Sequence, residues 1–177
     1  LKGERRPAWE MAAAAARRAS QPTDRIYVWG WYGGLYVQAE RISAVPRACE
    51  GSMHTLQPET FAQRVREILA AFEDDPPACI LDTRKRHFPW NRPALELWPR
   101  GPRGFLAPRS NALSDHEADA EYWLSLHFGS EESERYRALR PLRRYVMERY
   151  DIVGEYGEIV VFQRKENSPG AKRDRSG

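Results

Sequence analysis

Residues 58–82 read PETFAQRVREILAAFEDDPPACILD. Phe61, Val65, Ile68, Leu69 and Phe72 recur at the spacing of one helical face, which predicts an amphipathic helix over residues 58–73. The DDPP run ends it, because the residue before a proline is pushed out of the helical region. Residues 78–82, ACILD, are then a short apolar run of the kind that forms an interior strand covered on both faces. A helix, a proline turn, a strand and an abrupt polar switch at TRKRH make the second half of a β-α-β unit.

Toward the N-terminus, residues 25–30, RIYVWG, are β-branched and aromatic and stop at a glycine, so they predict a buried strand. WYGG follows as a turn and LYVQAERI as a short helix. Residues 44–49 read as a second strand, with Pro46 placing it at an edge or a bulge. Upstream, PAWEMAAAAARRAS predicts a helix: Pro7 fits the first turn and the alanine run has high helix propensity.

Toward the C-terminus the pattern loosens. Residues 83–129 carry Pro89, Pro93, Pro99, Pro102 and Pro108, and a segment this long without regular structure is either functional or mobile. Within it, residues 114–128 predict a helix, with Ser114 as the cap and Glu117 at capping-box spacing. Residues 133–150 predict another, and Pro141 inside it leaves open two helices or one kinked helix. DIVGEYGEIVVFQRK predicts a β-hairpin turning at residues 155–157, and residues 167–177 form a solvated tail. The expected fold class is α/β, three-layer, with a mostly parallel small sheet flanked by helices and a C-terminal antiparallel β-hairpin. One domain is expected over residues 1–166, with 83–130 as a long proline-rich insertion.

The composition is that of an ordinary folded domain. The 177 residues are 41% hydrophobic and 30% charged, and no stretch approaches the roughly 18 apolar residues of a membrane-spanning helix. The start, LKGERRPAWE, lacks the apolar region of a signal peptide. Its first residue, Leu1, is not methionine, which leads us to expect a longer parent chain or a trimmed one. The net charge is only +3, and of 28 basic residues just four are lysine. An arginine bias of this kind reads as base composition of the gene, and no nucleic-acid partner is expected.

Few residues here suit bond-making chemistry. Cys49 and Cys79 are too few for a disulfide scaffold and too isolated for a zinc site. His54, His87, His116 and His127 lack ligand spacing, no GxSxG occurs, and no metal or cofactor is expected. Gly30, Gly33 and Gly34 sit in a strand-to-helix turn where backbone N–H groups could face an anion, but the spacing matches no phosphate loop. A tight turn with close helix packing is the simpler reading of these glycines. If the two strands are parallel, the segment after Trp29 and the segment after Asp82 share one carboxyl edge, where open α/β sheets bind ligands. Arg84, Arg86 and His87 there suit a phosphate, and Trp29 and Trp90 suit stacking on a sugar or lipid headgroup. A solvated charge run beside core tryptophans is the plainer alternative. Asp82 is the most interesting carboxylate, as a general base or, more commonly, as the cap of the following turn.

Taken together, residues 22–47, the helix, residues 74–90 and residues 145–165 resemble the soluble C-terminal domain of bacterial multi-spanning glycosyltransferases. These are relatives of protein mannosyltransferases and aminoarabinose transferases, which use polyprenyl-phosphate-linked sugars as donors. Asp24, Ile26, Val28, Trp29, Gly30 and Tyr36 match the opening segment of such tails. Pro76, Pro77, Ile80 and Asp82 match the strand after the helix, and Tyr150, Gly157 and Arg164 loosely match the ending. The region around residues 91–130 matches nothing.

The resemblance implies a membrane-attached domain on the extracytoplasmic (periplasmic) side, partnered by the membrane-spanning part of its own parent chain. It implies a lipid-linked sugar or acceptor as ligand, and an oxidising compartment in which Cys49 and Cys79 pair if adjacent. In that family the catalytic carboxylate lies in an early extracytoplasmic loop, so no catalytic residue carries over to this chain. The expected function is therefore a non-catalytic domain that assists substrate binding. A free-standing α/β enzyme or binding module for a phosphorylated or sugar ligand at the sheet edge, and an interaction module with no ligand, are the alternatives.

Overall fold

The computed structural model describes residues 6–30, 32–47, 53–84, 100–101, 104–105 and 111–166. Strands β1 (Arg25–Trp29), β2 (Ile42–Ser43) and β3 (Cys79–Asp82) run parallel to one another. Strands β4 (Arg100–Gly101) and β5 (Gly104–Phe105) form a separate antiparallel pair. Strands β6 (Tyr150–Tyr156) and β7 (Ile159–Arg164) are the hairpin, and β7 joins the main sheet antiparallel to β3. The five-stranded order is β2-β1-β3-β7-β6, so the three-layer α/β expectation, parallel at first and closed by an antiparallel hairpin, is met.

Every inner strand is covered on both faces, which is why its sequence reads as an unbroken apolar run. Ile26, Val28, Cys79, Leu81 and Val161 face α1 (Ala8–Arg18) and α2 (Gly34–Ala39). The alternate residues Tyr27, Ile80, Val160 and Phe162 face α3 (Pro58–Asp74) and α5 (Ser130–Arg149). Ala12, Ala13, Ala15 and Ala16 are all buried, so the alanine run gives α1 a flat surface that lies close on the sheet. On the other side Phe61, Val65, Ile68 and Phe72 of α3 meet Leu139, Leu142, Tyr145 and Val146 of α5. The Phe72 ring stands edge-on to Tyr27 at 5.0 Å.

The DDPP turn between α3 and β3 lacks two N–H groups and is held by donors from elsewhere. Tyr150 Oη donates to Pro77 O at 2.7 Å, Arg164 to Pro76 O at 2.9 Å and Tyr145 Oη to Phe72 O at 3.2 Å. Arg25 adds an ion pair to Asp75 at 3.0 Å. Burial raises the pKa of the Tyr150 hydroxyl above the tyrosine value. Gly157, with φ +61, is the first central residue of the two-residue hairpin turn, the arrangement of a II′ turn.

Three boundaries depart from the sequence reading. The second strand falls at Ile42–Ser43 rather than at residues 44–49. Beyond Ile26 the strand edge is closed by Ala44 N–H to Ile26 O (2.8 Å), and then by a side chain: Val28 N–H donates to Tyr36 Oη at 2.9 Å. Helix α4 (Asn111–Phe128) begins three residues before Ser114, and Glu117 engages arginines of α5. The hairpin turns at residues 157–158 rather than 155–157, because Glu155 and Tyr156 still pair with Val160 and Ile159. Of the two readings left open at Pro141, α5 is a single helix.

The α4–α5 contact is built on charge. Arg143 is fully buried, with its guanidinium 3.8 Å from the centre of the Tyr136 ring. The buried Glu117 carboxylate accepts hydrogen bonds from Arg143 at 3.3 Å and Arg144 at 3.1 Å, and forms an ion pair with Arg140 at 3.0 Å. Burial lowers the Arg143 pKa, opposed by the Tyr136 ring system and Glu117.

Candidate functional site

The parallel register sets Trp29 beside Asp82, so β1 and β3 end at one edge of the sheet. There Thr83 bonds twice to a single carbonyl. Its N–H reaches Trp29 O at 3.1 Å and its hydroxyl donates to the same oxygen at 3.0 Å. Both Asp82 and Thr83 are buried. Asp82 Oδ1 accepts the backbone N–H of Arg84 at 3.0 Å, which makes Asp82 the cap of its own turn. Arg84 has φ +44, a left-handed conformation uncommon for a long side chain. The Trp29 ring is half-buried, tilted at 44° to Tyr27 with 6.5 Å between ring centres.

Gly30 follows Trp29 with φ +110, and a Cβ built on it would stand 2.2 Å from Thr83 Oγ1. The glycine is required twice over, by its backbone angle and by its neighbour. Gly33 and Gly34 are different. A Cβ on either meets nothing within 4 Å, so close helix packing does not account for them. Gly33 is the residue before α2, a helix of six residues, and its carbonyl accepts Tyr36 N–H at 3.1 Å while Tyr32 O accepts Leu35 N–H.

Trp29, Gly30, Asp82 and Arg84 thus converge on one edge, and Gly33 and Gly34 start the helix that leaves it. Arg86, His87 and Trp90 lie outside the described residues, as do Trp31 and Cys49. Cys79 is a free thiol turned toward α1, 3.6 Å from Ala19 O, and burial pushes its pKa up to about 12. Among the described residues no group of three or more His, Cys, Asp or Glu is placed to hold a metal ion. Nor is any helix among them long and apolar enough to cross a membrane.

Sequence reasoning missed Thr83, whose role needs the strand register. It also missed Arg41, which collects the C-terminal carbonyls of α1 and α2: Arg17 O at 3.2 Å, Ser20 O at 2.9 Å, Ala39 O at 3.2 Å and Glu40 O at 3.0 Å. The signal available was Arg41 two residues past the end of an apolar helix, where cations suit the helix dipole.

No protein-family model matches the chain, and no curated protein does. Among solved structures it is similar to the C-terminal globular domain of an oligosaccharyltransferase from Archaeoglobus fulgidus. The match is 14% identical over 92% of this chain and 99% of that one, with a TM-score of 0.43. A likeness that distant supplies neither a site nor an activity.

Proposed function

We propose that this chain is a non-catalytic, extracytoplasmic domain of a membrane glycosyltransferase, and that the carboxyl edge of β1 and β3 holds the phosphorylated sugar of a lipid-linked donor. The observation that supports the site is the turn Asp82-Thr83-Arg84 beside Trp29. Its backbone is fixed by three hydrogen bonds, and Arg84 is kept at φ +44. A left-handed non-glycine residue costs on the order of 1–3 kcal/mol, and such strain gathers where geometry matters for binding. An arginine supplies charge-assisted hydrogen bonds to phosphate, and an indole face suits a sugar ring.

The assignment to a glycosyltransferase rests on the sequence resemblance. Within the resemblance Tyr36, Pro76, Pro77, Tyr150, Gly157 and Arg164 have structural jobs, closing the β1 edge, the DDPP turn and the hairpin. None of them is arranged to make or break a bond, in keeping with a domain that binds while the chemistry belongs elsewhere in the parent chain.

Calorimetry with a short-chain, water-soluble polyprenyl-phosphate sugar tests the reading. Replacing Arg84 and Arg86 together by alanine should weaken binding about tenfold or more, since a charge-assisted hydrogen bond contributes about 1.5–3 kcal/mol. Unchanged affinity in that variant would remove the site. Release of sugar from the donor by the domain alone would overturn the non-catalytic reading.

A further inference from the structure

Helix α4 is attached to the domain by charge rather than by the core. Neither hydrophobic core contains a described residue of it. Among its described side chains Leu124 is the one buried apolar group, while Tyr122, Trp123 and Leu126 are exposed. What it turns toward α5 is Glu117, paired with Arg140, Arg143 and Arg144, and Glu121, paired with Arg137 and Arg140. Charge of this kind is a weak fastening. Burying an ion pair strips the hydration of both partners, and the attraction gained about cancels that loss. Here the loss is not fully offset. Among the described residues the Tyr136 hydroxyl and the Nε–H groups of Arg143 and Arg144 are buried and reach no acceptor, whereas water would supply one to each. The same desolvation raises the Tyr136 pKa and lowers that of Arg143. The joint also lacks bracing. One residue, Gly129, separates α4 from α5, at φ +92, and a Cβ built on it would meet nothing within 4 Å.

We infer that α4 is a hinged flap, which leaves α5 about Gly129 as a unit while the sheet, α3 and α5 stay folded. Hinges of this type are element-terminal residues that absorb a change in backbone angle, and a glycine between two helices suits one. Opening hydrates the unpartnered donors and the paired charges together and gives up little apolar contact. It therefore lies below global unfolding in free energy. It uncovers Tyr136, Arg140, Arg143 and Arg144 of α5, a cationic face that the two carboxylates cover when the flap is closed. Off α5, the 18 residues of α4 are marginal as a helix, so their amides lose protection when the flap opens. The inference stands apart from the sheet-edge site and needs no sugar ligand.

Native-state hydrogen exchange of the full chain in low urea, read by NMR, tests it. The amides of residues 117–128 should exchange about a hundredfold or more faster than those of α3 and β3. Their urea dependence should be less than about half as steep, because opening exposes far less surface than unfolding. Raising sodium chloride from about 0.05 M to about 0.5 M should speed α4 exchange, since the arginines uncovered on α5 repel one another and salt screens them. Glu121→Gln, at a partly buried carboxylate, should speed it about tenfold or more, the loss of a charge-assisted hydrogen bond. Circular dichroism of that variant checks that the rest of the domain is folded. Exchange of α4 with the rate and urea slope of α3 and β3 would mean that it leaves only when the whole domain unfolds, which overturns the flap. Exchange of α4 unmoved by both salt and Glu121→Gln would mean that charge is not what fastens it, and would overturn the inference equally.

Discussion

Gly30→Ala isolates the contact that builds the sheet edge. The new Cβ would lie 2.2 Å from Thr83 Oγ1, and the next atoms, Thr83 Cβ and Cγ2, are at 3.5 and 3.8 Å, ordinary contact distances. The clash is therefore with one oxygen. Relieving it breaks the hydroxyl bond to Trp29 O, about 0.5–1.5 kcal/mol, and displaces packed side chains at about 1–3 kcal/mol. The φ of +110 adds about 1–2 kcal/mol for any residue with a Cβ, by analogy with the left-handed penalty. Gly30→Ala should thus destabilise by about 3–5 kcal/mol. In a Thr83→Ala background the oxygen is gone, and the same change should cost only the backbone part, about 1–2 kcal/mol. Urea denaturation of the four proteins gives the coupling energy, expected near 2 kcal/mol. Additive effects of the two substitutions would refute the placement of Thr83 against Gly30.

The other predictions concern the scaffold. Glu117→Ala leaves the fully buried Arg143 without its carboxylate and should cost about 3–5 kcal/mol, with hydrogen exchange rising first in α4. Arg144→Ala, at an exposed member of the cluster, should cost under about 1 kcal/mol, and similar losses for the two would contradict the cluster's geometry. Glu40 ends α2 at φ 54 and ψ 43, so Glu40→Gly should stabilise by about 0.5–1 kcal/mol, the left-handed strain relieved less the entropy of glycine. The exposed Arg17–Glu40 pair lost with it offsets little, and a lower melting temperature would show otherwise. Cys79 has its folded pKa raised to about 12 from 9.0 by burial, so its contribution is complete below pH 9 and is lost as pH rises toward 12. Cys79→Ala should flatten the decline of stability across that window, and an unchanged slope would mean that the thiol is not buried in solution.

Where a residue's role depends on a period, the sequence declares it. Phe61, Val65, Ile68 and Phe72 announce α3, and the apolar runs of β1 and β3 announce strands covered on both sides. Where a role depends on register, it does not. Thr83 matters only because Trp29 lies beside Asp82, and nothing local to residues 83–84 reveals that. The second strand is hard to place from sequence because only Ile42 and Ser43 pair, while a tyrosine hydroxyl from α2 takes over beyond them. Arginine reads as exposed from sequence alone, so Arg143 beneath Tyr136 was invisible. So were the partners of Glu117, whose capping-box spacing points it at Ser114, whereas it meets Arg143 and Arg144 of α5.

The most direct test of the account is a titration of the isotope-labelled domain with the short-chain polyprenyl-phosphate sugar, followed by NMR. The proposed site predicts shifts that saturate and centre on the Trp29 indole and the amides of Gly30, Thr83 and Arg84. Saturating shifts centred anywhere else, or none at millimolar ligand, would contradict it.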